Sequence, residues 1–321
     1  MKDCDKFLYD IIQLRKKYKF DNKNILNCDE TAVCLNNPGN KTITKKGKKT
    51  VNIKTLKREK MRITVLLTIT GDGKFLPPFI IFKGEPQSKL YAQIQKYDEV
   101  KNKKVFATTQ KNAWIDDNTF KQYIKLVLEP YNQLYKKLLI LDKCTTHIKD
   151  NIIFLLKNAN YIPYYIPAGM TMVLQPLDRS INFPFKCYLK DKFTEYLLDN
   201  RDKFKESIEE CRKRLIKNIT EIINNTNVNN NEIGKFIRKE IIIKSFKICG
   251  ITNAMSGDED FLFDGFNVIN QLTVMHDRRL NKNNNTNYYR YQRRDESDSS
   301  SEGEGSNDEN LESQIDDISF I

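Results

Sequence analysis

The sequence predicts an α/β fold, a mixed sheet covered by helices, on three observations. Apolar runs of strand length alternate, in the second part of the first 200 residues, with stretches of helical period. The run "KKLLILD" is apolar at successive positions, as in strands buried on both faces. Two β-rich runs, "MRITVLLTIT" and "KFLPPFIIFKG", flank Gly71-Asp72-Gly73, a turn suited to positive φ and therefore to a hairpin.

The elements follow in order. Phe7, Leu8, Ile11, Ile12, Leu14 and Tyr18 recur at helical spacing, which predicts an amphipathic helix over 5–19. "NILNCDETAV" gives a short strand ending on Asp29. The hairpin comes next, with Pro77 and Pro78 restricting its second arm to an edge or a late entry. "WIDDNTFKQYIKLVLEPY" reads as a helix capped by Asp116 or Asp117, with Phe120, Ile124, Val127 and Leu128 as its buried stripe and Pro130 as its stop. "KKLLILD" is a strand, Ile152–Leu156 a helix and "NYIPYYIP" a strand. After the loop "AGMTMVLQPLD" a long helix is expected over about Ser180–Leu198, giving the order β-β-β-α-β-α-β-α.

Beyond Asn200 the pattern is charged and helical, with Asn-rich joints at 224–231 and 281–287. The expected organisation is a core over 1–200, a helical C-terminal extension over 201–260, a loosely ordered basic linker over 261–294 and a disordered acidic tail over 295–321. That tail holds ten of the 42 acids and no Lys or Arg. Residues 1–294 therefore carry 32 acids against 54 bases, a net +22, where the whole chain carries +12. Such an excess suits a polyanionic partner, nucleic acid before membrane.

Seven cysteines lie far apart with no CxxC pair and only His147 and His276 beside them, which argues against a zinc module and a disulfide framework. The first twenty residues carry no signal-peptide pattern, and a reducing intracellular compartment is expected. The longest uncharged run, Asn158–Leu177, contains Pro163, Pro167 and Pro176 and is unsuited to a membrane helix.

Asp29 and Asp142 close apolar strands, and Asp178, after 35 intervening residues, enters a helix. Taken singly, each is an ordinary turn or cap residue. Adjacent strands bring their ends together, however, and three convergent carboxylates repel unless divalent cations lie between them. Hard oxygen ligands suit Mg²⁺ or Mn²⁺.

"NCDET" at 27–31, "LLILDKCTTH" at 138–147 and "VLQPLDRSINFPFK" at 173–186 resemble the three catalytic motifs of the DDE superfamily transposase domain, in its pogo/Tigger/Jerky branch, related to centromere protein B. "PPFIIFKG" at 77–84, "NAW" at 112–114 and "SFKICGITNAMSGDED" at 245–260 are also similar, so the resemblance spans roughly residues 5–260. It implies an RNase H-like fold with Asp29, Asp142 and Asp178 as catalytic metal ligands, Mg²⁺ or Mn²⁺ as cofactor in two ions, DNA as substrate and the nucleus as location. It further implies DNA cleavage followed by strand transfer. A domesticated, non-catalytic DNA- or chromatin-binding protein is the alternative. Family members carry upstream helix-turn-helix modules that read the element's ends, so a homodimer or a separate sequence-reading partner is expected. The chain departs from the family at Arg179-Ser180, where Val-Gly is common, and at Lys143-Cys144 after the second acid.

Candidate DNA contacts are Lys45, Lys46, Lys48, Lys49, Lys143, His147 and Arg179. The first four belong to "KTITKKGKKTVNIKTLKREK", which suits a ribbon tracking the DNA backbone and a solvated loop equally. His147 suits a phosphate contact, a cap or a packed ring. Trp114, the only tryptophan, suits base stacking, but the hydrophobic helix after it predicts a place in the core.

Overall fold

Residues 2–35, 61–131, 133–200, 206–228 and 237–265 are described by a computed structural model of the chain. Helix α1 (Lys2–Tyr18) leads into strand β1 (Ile25–Cys34). Strands β2 (Arg62–Thr70) and β3 (Phe79–Lys83) form the predicted antiparallel hairpin, and the Pro77-Pro78 pair delays entry into β3. Gly73 takes φ +92° in its turn, and a Cβ there would lie 2.9 Å from the Lys239 carbonyl oxygen, so only glycine fits. Two short helices, α2 (Lys89–Ile94) and α3 (Asp98–Lys101), precede strand β4 (Phe106–Gln110). These three elements add to the order predicted from the sequence: "FATTQ" is a five-residue edge strand behind a lysine-rich turn, with too little alternation to stand out.

Helix α4 (Asp117–Tyr123) starts at a capping box in which Asp116 Oδ1 accepts from the Thr119 N–H, and it continues as a π-helical turn over Ile124–Leu128. Strand β5 (Lys137–Asp142), helix α5 (Asp150–Asn158) and strand β6 (Tyr161–Ile166) complete a βαβ crossover. A one-turn helix, α6 (Thr171–Leu174), and a π-helical turn over Leu177–Ile181 precede α7 (Asn182–Asp199). Helices α8 (Ile208–Val228) and α9 (Lys239–Ile248) follow.

The sheet order is β4-β3-β2-β1-β5-β6. Strands β1, β2 and β3 are antiparallel neighbours, whereas β5 and β6 run parallel to β1, and β4 parallel to β3. Antiparallel hairpin strands joined to parallel crossover strands on the far side of β1 are the RNase H-like arrangement. Alternation along each strand divides the core in two. Ile25, Val65, Leu67, Leu138 and Ile140 face one layer with α1, α7, α8 and α9, while Leu26, Leu66, Leu139 and Leu141 face the other with α4 and α5. Helix α8 enters the first layer through Cys211, Leu215, Ile216 and Ile219. Its Asn227 side chain donates to the Phe75 carbonyl at 3.0 Å and accepts from the Phe75 N–H at 2.8 Å, fastening the helix to the hairpin.

No helix among the described residues is long and apolar enough to cross a membrane. The basic segment 41–60, with Lys45, Lys46, Lys48 and Lys49, and the predicted tail over 295–321 lie outside the described residues.

Candidate metal-binding acid cluster

The convergence of the acids is a matter of register. Strands β1 and β5 pair as far as Asn27 opposite Ile140, and each carries its aspartate two residues beyond that last pair, close enough for Asp142 to act on Asp29 electrostatically. The period of two gives both residues the parity that faces the α7 layer. The third acid, Asp178, arrives on the π-helical turn before α7. Two buried asparagines fix it there. Asn27 donates from Nδ2 to the Ile140 carbonyl at 3.0 Å and accepts at Oδ1 from the Leu177 N–H at 3.0 Å, tying β1, β5 and this turn together. Asn182, one turn beyond Asp178, donates from Nδ2 to Asp29 Oδ2 at 2.8 Å and to Asp178 Oδ1 at 2.9 Å. One amide nitrogen thus keeps carboxylates 149 positions apart in sequence within about 6 Å of each other.

A second set of contacts crosses the sheet edge. The His147 ring, fully buried, places Nδ1 2.8 Å from Asp142 Oδ1 and Nε2 3.2 Å from Glu30 Oε1, the latter outside hydrogen-bond geometry. It packs on Phe120 with ring centroids 4.5 Å apart. Burial opposes a charge on the imidazole, but the Asp142 and Glu30 carboxylates outweigh it and hold the His147 pKa above its usual value. Burial also raises the pKa of Asp29 well above the carboxylate range, reinforced by Asp178, Glu30 and Asp142 and opposed by the Asn182 hydrogen bond. Among the described residues no lysine or arginine pairs with any of the three aspartates.

A buried carboxylate surrounded by three others, with no basic side chain paired to it, suits a divalent cation. The donors are hard oxygens, and Asn182 Oδ1 is a buried amide oxygen without a hydrogen bond from any of the described residues. A tighter set also exists: Asp142, Cys144 and His147 have donor atoms all within 4.8 Å of one another. The 2.8 Å contact of His147 Nδ1 with Asp142 is a hydrogen bond, however, since two ligands on one tetrahedral zinc stand about 3.3 Å apart. This reading makes His147 a support for Asp142. The aspartates need not be so close, because ions about 3.5–4 Å apart span ligands on either side.

The remaining candidates are dispersed. Lys143 is exposed beside Asp142. Arg179 pairs with Asp264, and the buried His147 faces carboxylates, so neither presents a free cation to a phosphate. Trp114, expected in the core, is 72% exposed. Neither Asn27 nor Asn182 stands out in the sequence; the one signal is a polar residue inside the apolar run "ILNCD".

The RNase H-like sheet and its cluster of convergent acids define the class, and a family model agrees: that of the DDE superfamily endonucleases matches residues 60–239, and the chain belongs to this family. The matched span includes Asp142 and Asp178, and Asp29 lies before it. Curated relatives include the mouse and human proteins "Pogo transposable element with KRAB domain", each 26% identical over 193 residues, 59% of this chain and 30% of theirs. The human "Pogo transposable element with ZNF domain" is 24% identical over 142 residues, 43% of this chain and 9% of its own. The chain thus spans less than a third of the length of these relatives. Solved structures with similarity include the Mos1 transposase paired-end complex with left transposon end, at 13% identity and TM-score 0.40, covering 72% of this chain and 62% of that one. The Mos1 catalytic domain is 12% identical with TM-score 0.36, covering 79% and 94%. A Mos1 paired end complex with Mn is 13% identical with TM-score 0.40, covering 73% and 63%.

Proposed function

We propose that the chain is the catalytic domain of a pogo-like transposase, cutting DNA phosphodiesters and joining the freed end to a target. The observation that carries this is the single amide of Asn182 gripping Asp29 and Asp178 while strand register sets Asp142 beside Asp29. Asp29, Asp142 and Asp178 would hold Mg²⁺ or Mn²⁺, two ions in this reading. Such ions supply Lewis-acid neutralisation of the phosphate and a nucleophile at neutral pH. The protein's own part is positional. Strands β1 and β5 fix two carboxylates on rigid backbone, Asn27 locks the turn that brings the third, and Asn182 limits how far Asp29 and Asp178 can spread. His147 fixes the Asp142 carboxylate by one hydrogen bond and is itself wedged between Phe120 and Glu30.

Exposed Lys143 is the phosphate contact nearest the cluster in this reading, and Lys45, Lys46, Lys48 and Lys49, outside the described residues, are further candidates on grounds of charge alone. Either a second copy or a separate DNA-reading protein would select the sequence. A DNA substrate carries nuclear residence with it, checked by imaging a tagged chain.

The test is nicking of supercoiled plasmid with Mg²⁺ or Mn²⁺. The wild-type chain nicks, and Asp142→Asn reduces nicking at least a hundredfold while thermal unfolding is retained. DNA binding by the wild type without any nicking would contradict catalysis and leave the domesticated reading. Equal nicking by Asp142→Asn would remove Asp142 from the site.

A further inference from the structure

We propose that Trp114 and Phe183 are stacking residues that grip unpaired bases at a DNA end on either side of the acid cluster; this rests on the DNA-cutting reading above. The two rings are 72% and 75% exposed. An indole left in water forgoes the free energy its burial would gain, and here the backbone holds it out. Ala113 takes φ +57° and turns the chain before Trp114. The Gln110 side chain accepts from the N–H groups of Asn112 at 2.7 Å and Trp114 at 3.1 Å. Thr64 donates to the Ala113 carbonyl at 2.6 Å, and two residues after Trp114 the Asp116 capping box begins α4. A ring on so well fastened a loop loses little freedom when a flat partner covers it.

Position relates both rings to the acids. Strand β4 runs in the direction of β1, so the loop bearing Trp114 leaves the sheet at the same end of the strands as the C-terminal ends of β1 and β5, with β3 and β2 between β4 and β1. Thr64, which anchors that loop, pairs with Ala32, three residues past Asp29 and about 10 Å along the strand. Phe183 directly follows Asn182, whose amide touches Asp29 and Asp178. Trp114 leads into the α4 layer and Phe183 lies on α7 in the opposite one, so the two residues belong to opposite layers of the sheet that carries the cluster.

The chemistry around them points to a nucleic acid. Arg62 at the start of β2 and Lys186 one turn past Phe183 are exposed cations, and Lys111 beside Trp114 is exposed in a solvent-facing ion pair with Glu85 at 3.7 Å, on a chain of net charge +12. Cations beside exposed flat rings suit a phosphate backbone with bases laid on the rings. Two such rings grip a base that is unpaired and free to leave the stack, as in a single-stranded overhang, and an overhang is what a cleaving and joining enzyme leaves on its DNA.

Trp114 is the only tryptophan, so its emission, excited at the red edge where tyrosine does not absorb, reports this contact directly. The chain is titrated with a labelled duplex bearing a short single-stranded overhang and with its blunt counterpart, and anisotropy of the label reports binding independently. Expected are at least twofold quenching with the overhang, an affinity loss of about tenfold for Trp114→Ala and for Phe183→Ala on the overhang, and loss within about threefold for Trp114→Phe. Blunt duplex affinity stays within about twofold for all three variants. Binding by anisotropy with unchanged emission and an unchanged Trp114→Ala affinity would overturn the inference and leave the DNA-cutting reading intact. Lack of binding to either DNA would overturn both.

Discussion

Single side chains set the geometry of this site, and two of them can be tested without touching an acid. Asn182 is the sole hydrogen-bonded link found between Asp29 and Asp178 among the described residues. Asn182→Ala is expected to leave the fold standing and to weaken Mn²⁺ binding about 10–100-fold by calorimetric titration, the usual effect of losing a ligand's support. Lys137 offers a pH test away from the acids. It is fully buried, donates to the Tyr131 carbonyl at 3.1 Å and lies over the Tyr161 ring, and burial lowers its pKa to about 8. The unfolded chain therefore binds more protons than the folded one between about pH 8 and the ordinary lysine value of 10.5, and stability attributable to Lys137 rises with pH across that window. Relative to Lys137→Met, the wild type should gain about 1–2 kcal/mol of unfolding free energy over that range, allowing for the carbonyl and ring that partly stabilise the charge. A constant difference in denaturant titrations would contradict this.

At the scale of elements, the hairpin, β1, β5, β6 and the long helices follow from what the sequence displays locally: alternation, turn glycines, caps and apolar runs. Strand β4 does not, because five residues at a sheet edge lean on a neighbour for their pairing. Trp114 is misjudged from its surroundings for a related reason. The helix after it is amphipathic, but the positive φ at Ala113 and the Thr64 anchor, both tertiary facts, turn the ring outward. The link between α8 and the hairpin also depends on a distant pair. Asn227→Ala would leave the nearly buried Phe75 N–H and carbonyl without their partner and should cost about 1–3 kcal/mol in chemical denaturation. A loss below about 0.5 kcal/mol would show that water replaces the amide there.

For the whole molecule, the sequence marks the acids that follow apolar runs but does not show that they meet, and it ends β1 too early: the strand expected to stop at Asp29 runs on to Cys34, paired throughout with β2. The meeting of the acids requires the parallel register of β1 and β5, which gives positions 29 and 142, each two residues past the last pair, the same parity, and the Asn27 clamp, which delivers Asp178. A one-residue slip of either strand would send its carboxylate to the opposite layer. The motif resemblance names the three acids together, and the asparagines beside them emerge only from packing. The central claim is that these three carboxylates share divalent cations. The most direct measurement is anomalous diffraction from crystals of the chain soaked in Mn²⁺. Manganese peaks are expected among Asp29, Asp142 and Asp178, and are lost in Asp142→Asn. Manganese seated instead on Cys144 and His147, or a cluster that takes up none at saturating Mn²⁺, would contradict the claim.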